Sequence, residues 1–333
     1  MKRILKGACI VAMVVLAFTS CKKNESKLSF IATTNNVEVV NDDRIYITPQ
    51  NQVFFEQGEQ TMVYNIKFEE NDVTPNSYYG VYTARTTGSR VTFDYQSGPI
   101  IYHTDRADAF FGFYPGQRVN NAYLAQGNVG VFDIPTTQVY REINGNAVLP
   151  ERSWAMAAKS TEQASIEDNF VLNYQPIMGA LGLWLKTNGG EKVVKSIVYE
   201  DKLFDVTGDV HLKIHEIDPV EMTWLFNNYN PDNASYLQRL NNYLSVTGYF
   251  IDGVNKGKTI TLDCGEGVVI NGTRKPFYIV LRPLASYAGR TITVNFADGT
   301  KVVIDDDINR KIAPNQIRNK EENVDNYPLI PQN

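Results

Sequence analysis

Short runs of alternating apolar and polar residues, several closed by glycine or proline, recur along almost the whole of this chain. In Thr61 to Phe68 the residues Met62, Tyr64, Ile66 and Phe68 fall on one face, and Val63, Asn65 and Lys67 on the other. That period of two predicts a strand with one wet face. Ala109 to Tyr114 is apolar on both faces, as a strand between two layers is, and Pro115 stops it because proline cannot donate to a ladder. Val129 to Pro135 repeats the device. Leu28 to Ala32, Asn36 to Val40, Ile45 to Ile47, Tyr78 to Ala84, Val91 to Tyr95 and Pro99 to His103 read as further short strands. A second series begins at Phe170 and runs through Leu181 to Lys186, Val193 to Tyr199 and Val210 to Ile214. It resumes at Thr259 to Leu262, Phe277 to Leu281, Thr291 to Phe296 and Lys301 to Ile304. Asp298-Gly299 between the last two is a hairpin turn, since this pair tolerates positive φ.

One stretch breaks the pattern. Leu237, Leu240 and Leu244 are spaced three and four apart in Pro231 to Leu244, with Asp232 or Asn233 placed to cap, which predicts one short helix. Many short strands and almost no helix argue for an all-β chain of antiparallel sandwiches. Thr161 to Asp168 is the most charged linker in the middle, so the expected division is 22–168 and 169–333. The tail from Asn315 to Asn333 is polar, lacks sustained alternation, and is expected to be mobile unless a partner orders it. An inventory of 19 Tyr and 16 Phe against 3 Trp suits half-buried pleated surfaces. The net charge of −5 gives nucleic acid no basic face to bind.

The first 21 residues read as a signal. Met1, Lys2, Arg3 and Lys6 are a basic start, Ala8 to Phe18 is an apolar run, and small residues precede Cys21. The run is shorter than the roughly 20 residues a membrane-spanning helix needs. A cysteine at the cut is the mark of a bacterial lipoprotein, whose thiol takes a diacylglycerol. Phe18-Thr19-Ser20-Cys21 resembles that lipobox, with Phe18 where leucine is commoner. The alternative is an ordinary signal peptide with a chance cysteine, but lipidation explains why Cys21 follows the run directly. Cys264 then remains alone, excludes an intrachain disulfide, and is expected to be a buried small hydrophobe.

Catalytic patterns are missing. His211 and His215 share a strand face about 13 Å apart, too far for one metal; His103 stands elsewhere. Gly253 to Thr259 has three residues between its glycines where a phosphate loop needs four. Acid pairs such as Asp305-Asp306-Asp307 or Glu216 and Asp218 could serve a glycosidase, yet an exposed acid run is more often a solvated turn. The expectation is no enzyme, no metal and no cofactor.

The order of several motifs resembles the fimbrillin-like lipoproteins of Bacteroidia, subunits of type V pili. These are the lipoprotein start, Phe110-Phe111-Gly112-Phe113-Tyr114-Pro115, and Phe132-Asp133-Ile134-Pro135-Thr136-Thr137-Gln138. Trp154-Ala155-Met156-Ala157 and Lys275 to Pro283 complete the set. Gln175-Pro176 departs from the family, which usually has a histidine there, and the hydrophilic tail departs too. The resemblance implies two transthyretin-like antiparallel β-sandwich domains in tandem, without catalysis. It implies transport to the outer membrane as a lipid-anchored surface protein, partnered with other pilus subunits by β-strand complementation. It also implies removal of the first strand by an arginine-directed protease. Arg44, between a first strand taken as Leu28 to Val40 and the next at Ile45 to Ile47, and beside Asp42 and Asp43, is the candidate site, and Lys27 is its rival. The weak donor pattern of the tail favours a tip or accessory role over a stalk repeat. The alternative function is a surface glycan-binding lipoprotein of a polysaccharide-utilisation system, which would need two or three aromatic rings exposed on one flat face. Trp154, Trp184 and Trp224 are spread thinly for that, and Trp184 is expected in a strand core.

Overall fold

The computed structural model describes residues 29–34, 38–41, 44–46, 55–65, 79–98, 110–116, 123–125, 129–143, 145–150, 154–160, 169–213, 221, 224–225, 228, 233, 235–236, 238–239, 242–243, 250–286, 289–306, 310–312 and 316–332. The first strands are β1 (Ser29–Thr34), β2 (Glu38–Asn41), β3 (Arg44–Tyr46), β4 (Gln60–Asn65), β5 (Tyr79–Ala84), β6 (Arg90–Ser97) and β7 (Phe110–Tyr114). Next come β8 (Tyr123–Ala125), β9 (Val129–Ile134), β10 (Thr137–Val139), β11 (Arg141–Ile143), β12 (Asn146–Val148), β13 (Met156–Lys159) and β14 (Asn169–Pro176). Then follow β15 (Gly179–Lys186), β16 (Lys192–Asp201), β17 (Thr207–Lys213), β18 (Phe250–Gly257), β19 (Thr259–Ile270) and β20 (Lys275–Leu281). The last are β21 (Leu284–Ser286), β22 (Arg290–Phe296), β23 (Thr300–Asp306), β24 (Arg310–Ile312), β25 (Gln316–Asn323) and β26 (Ile330–Pro331).

Seven strands close on themselves in the order β1-β14-β13-β7-β4-β5-β6. A second large sheet runs β10-β19-β16-β22-β23-β26, and a third β20-β15-β25-β2-β3. β16 and β19 form a long antiparallel ribbon, and β17 and β18 extend it to meet β9, in a sheet ordered β18-β17-β9-β8. The chain is all-β, and its sheets pack as β-sandwiches around buried aromatic and aliphatic side chains. Phe113 of β7 and Phe132 of β9, for example, meet across two sheets at 5.9 Å. Most pairings are antiparallel, but β1·β14, β2·β25, β15·β25 and β10·β19 are parallel.

Several strands differ from the pattern read in the sequence. β4 has no wet face: Thr61, Val63 and Asn65 are as buried as Met62 and Tyr64. Its polar residues are satisfied inside instead, and Thr61 Oγ1 donates to the Phe113 carbonyl at 2.9 Å and lies 2.6 Å from the Tyr174 hydroxyl. Alternation reports polarity, and a polar atom with an internal partner loses the need for water. β14 begins where the second series was expected to open, yet it pairs with β1 and β13 in the closed seven-stranded sheet. Leu181, Leu183 and Leu185 of β15 take the core face, which leaves Trp184 half-buried on the other. In the expected helical stretch, residues 235, 236, 238, 239, 242 and 243 are helical, and the Asn233 side chain accepts from the Tyr236 amide at 3.0 Å. That is the anticipated cap. Leu237, Leu240 and Leu244 lie outside the described residues.

The largest correction concerns the tail. It is not free: β25 lies in the interior of its sheet, parallel to β15 on one side and β2 on the other. Gly182 of β15 makes room for it, since a Cβ there would strike the Asn319 side chain. Charge fastens it to the second large sheet. Arg290 of β22 and Asp306 of β23, directly opposite in register and both buried, pair at 3.0 Å. Lys320 of β25 reaches the same carboxylate at 3.7 Å and Glu322 at 2.6 Å. Tyr327 donates to Glu322 at 2.6 Å. A polar strand in the interior of a sheet is hard to recognise in sequence, because its low hydropathy looks like solvation.

Breaking one member of a buried ion pair strands its partner's charge. Arg290→Met leaves the Asp306 carboxylate only the 3.7 Å contact to Lys320 and is expected to destabilise the chain by about 3 kcal/mol. Adding Asp306→Leu should restore most of that loss, as denaturant midpoints of the single and double variants would report.

Candidate functional site

The first strand occupies the one position that closes the seven-stranded ring. β1 pairs antiparallel with β6, placing Phe30 opposite Phe93 and Ala32 opposite Val91. On its other side it pairs parallel with β14, placing Ala32 opposite Leu172. Alternation along Ser29–Thr34 turns Phe30 and Ala32 inward, and both are fully buried. The Phe30 ring stacks parallel on Phe93 at 5.2 Å and meets the Tyr82 ring edge-on at 5.0 Å. Behind Phe93 stands Phe55, edge-on at 5.1 Å, and Phe55 in turn meets Tyr114 at 5.6 Å and Tyr174 at 5.4 Å. Such offset and edge contacts between rings add to the burial of the rings themselves. At the rim, the Thr33 hydroxyl donates to the Asn173 side chain, and the Thr34 amide donates to the Ser89 carbonyl at 2.9 Å.

Tyr174 holds the floor of this seat. Gly112 has no side chain because the Tyr174 ring lies over it, and burial pushes the Tyr174 phenol well above its ordinary value. The hydroxyl stays protonated and engaged with Thr61. The Tyr114–Pro115 bond that ends β7 is cis.

Beyond β1 the same terminal segment crosses to another sheet. β2 lies parallel to β25, with Glu38, Val39 and Val40 opposite Gln316, Ile317 and Arg318. β3 folds back on it, and Asn41 opposite Arg44 closes the hairpin. Arg44 thus begins an edge strand, with two residues between it and the strand it pairs with. Cys21 and the rival site Lys27 lie outside the described residues.

The remaining candidates separate. His211 sits on β17 opposite Val131 of β9, while His103 and His215 lie outside the described residues, as do Glu216, Asp218 and Asp307. Asp305 and Asp306 point opposite ways. Asp305 is exposed and held below the usual carboxylate range by the Thr291 hydroxyl and then Lys202, whereas Asp306 belongs to the buried pair with Arg290. Cys264 is buried, and desolvation pushes its thiol up to about 12, the state of a packing residue and not a nucleophile. Among the described residues no group of three or more His, Cys, Asp or Glu could hold a metal ion. The three tryptophans share no face: Trp154 is buried, Trp184 half-buried, and Trp224 is 43% exposed with the Arg239 guanidinium 4.2 Å above its ring. Arg239 also pairs with Glu221 at 2.6 Å.

Two working residues escaped the sequence. Gln138 is buried and serves as a substitute strand: its amide donates to the Val280 carbonyl at 2.8 Å and accepts from the Val280 amide at 2.9 Å, tying β10 to β20. Asp325, in a 3-10 turn at Val324–Asn326, clamps the turn after β15. It accepts from the amides of Asn188 at 2.6 Å and Gly189 at 3.1 Å, and from the Thr187 hydroxyl at 2.9 Å. Neither has a local signature, because each partner is more than 130 residues away.

The Asn188 amide, first among these donors, lowers the Asp325 carboxyl below its ordinary 3.8. A group with a depressed folded value contributes above its unfolded value and loses that contribution as pH falls through the folded one. Asp325→Asn should therefore speed hydrogen exchange at Asn188 and Gly189 at neutral pH. The gap between variant and parent should close as the parent's carboxylate is protonated below pH about 3.8.

No protein-family model matches this chain, and no curated protein does. Solved structures do match. A putative cell adhesion protein from Bacteroides ovatus is 11% identical with a TM-score of 0.54, over 92% of this chain and 96% of that one. A putative cell adhesion protein from Bacteroides uniformis is 15% identical with a TM-score of 0.51, over the same shares of the two chains. At these identities the likeness is one of fold, and it runs through nearly the whole of both molecules.

Proposed function

We propose that this chain is a structural subunit of a cell-surface fimbrium, assembled by strand exchange and used in adhesion. The observation that carries the reading is the seat of β1. One strand at the chain's start completes a ring of seven, and its loss leaves ladder groups on β6 and β14 and an apolar slot between them. Exposed ladders beside empty apolar pockets are what a strand from a neighbouring subunit recognises. Two proteins of the same fold named for cell adhesion support the assignment. In this reading Cys21 carries the lipid that brings the protein to the outer membrane, and cleavage after Arg44 frees β1 and β2 together. The two sandwiches divide near residue 168, with β14 crossing back to complete the first. The molecule works by shape and pairing and needs no catalytic group or cofactor.

The fastened tail favours a tip or accessory position. A segment that is to serve a neighbour must first leave its own sheet, and β25 is paired on both sides and held by Lys320 and Asn319. The glycan-platform alternative needs coplanar exposed rings, and the environments of the three tryptophans lend it no support.

Treatment of the purified protein with an arginine-specific protease is expected to cut after Arg44, with the new N-terminus at Ile45 read by mass spectrometry. An intact Arg44 under conditions that cut other exposed arginines would remove the processing step from this reading. Separately, Cys21→Ala should move the protein from the detergent phase of membranes to the soluble fraction. Unchanged fractionation would count against the lipid anchor.

A further inference from the structure

Resting on the strand-exchange reading, we infer that the vacated groove selects its incoming segment by chemistry: an aromatic residue, then a small one two positions later, then a second arm. The present occupant supplies the template. Phe30 is fully buried between the flat face of Phe93 and the edge of Tyr82, a slot of ring width. An aliphatic side chain entering there forfeits the ring contacts and part of the buried area.

Two residues on, the site changes character. Ala32 is fully buried between Val91 on β6 and Leu172 on β14, its neighbours in register and themselves buried. Leu172 cannot retreat, because its own δ-methyl group already lies against Gly112. A large side chain at this position overpacks the core. Between the two, Ile31 faces outward beside the exposed Val171, so that position is permissive.

The direction is set too. The present occupant runs parallel to β14 and antiparallel to β6, and a reversed strand would have to exchange the two ladder types and so shift the register of its side chains. Continuing the same way for a few residues, the segment reaches the edge of β25, where β2 now pairs in parallel. The partner is therefore a segment of about 13 residues, the length from Ser29 to Asn41, with a pairing arm at each end.

The test uses the full mature chain with a sequence-specific protease site inserted between Asp42 and Asp43, which makes the cut independent of Arg44. The cut chain is separated from its N-terminal fragment in denaturant and refolded with labelled peptides in excess. The peptide of residues 28–41 is the reference. Its Phe30→Ala form should bind at least a hundredfold more weakly. Its Ala32→Phe form should bind about tenfold more weakly. An Ile31→Ser form should stay within about threefold. A peptide ending at residue 36, without the β2 arm, should lose about tenfold or more. Failure of the reference peptide to bind would sink the strand-exchange reading itself. Reference binding with equal affinity for the Phe30→Ala and Ala32→Phe forms would overturn the selection rule. Equal affinity for the shortened peptide would overturn the second arm.

Discussion

The closure of the seven-stranded ring by β1 is the constraint on which the first half of this molecule depends. Among the described residues β1 is the strand that touches both β6 and β14, and its partners lie far along the chain, at Arg90 to Phe93 and Asn169 to Tyr174. Its place in the chain matters as much as its contacts. An interior strand cannot leave a sheet without dragging two connections with it, whereas β1 is joined to the other described strands at one end only. The aromatic slot makes the closure strong in the intact chain, and terminal position makes it separable. Edge groups that most proteins keep covered become, once uncovered, a specific site.

The opposite end of the folded region is built on the other principle. β25 also lies near a terminus, but packing and charge hold it and the turn after it. Asn319 fills the space over Gly182, Lys320 reaches Asp306 and Glu322, and Asp325 clamps the turn after β15. Beyond the clamp, β26 pairs with β23, and the Gln332 side chain donates to the carbonyls of Phe296 and Thr300 at 3.1 and 2.7 Å. Charged hydrogen bonds across sheets cost solvation to form, yet they are directional and fix register. The two termini thus differ in kind: one inserts through apolar rings, and the other is tied down by polar pairs.

How much of this could be read beforehand follows from the physics of each element. Period-two runs, proline stops and the Asp298-Gly299 hairpin are local, and they led to β4, β7, β9, β22 and β23 in their places. The Asn233 cap was legible for the same reason. Burial of β4 on both faces was not, because the Thr61 hydroxyl finds its partners, the Phe113 carbonyl and the Tyr174 hydroxyl, on distant strands. Nor was the interior position of β25, whose Arg318, Asn319, Lys320 and Glu321 read as a solvated tail. Gln138 and Asp325 were invisible for want of any nearby partner. Arg44 could be found by its neighbours Asp42 and Asp43, but its place at the first pair of a hairpin required the register of β2 on β3.

The terminal segment does not serve the ring alone. After β1 it crosses to lie against β25 as β2, so one stretch of backbone joins the closed sheet to the sheet built by β15, β20 and β25. β25 is in turn joined to the second large sheet through Lys320 and Asp306, and β20 to β10 through Gln138. Each link has a different chemistry: ring stacking at Phe30, backbone ladder at Glu38 to Val40, ion pairs at Asp306, an amide mimic at Gln138. Removing the terminal segment cuts the first two and leaves the last two standing. The C-terminal sheets therefore keep the contacts that join them to one another, while the first sheet loses both its closure and its strap. In the proposed strand exchange, an incoming strand that spans both places would restore both links in one step.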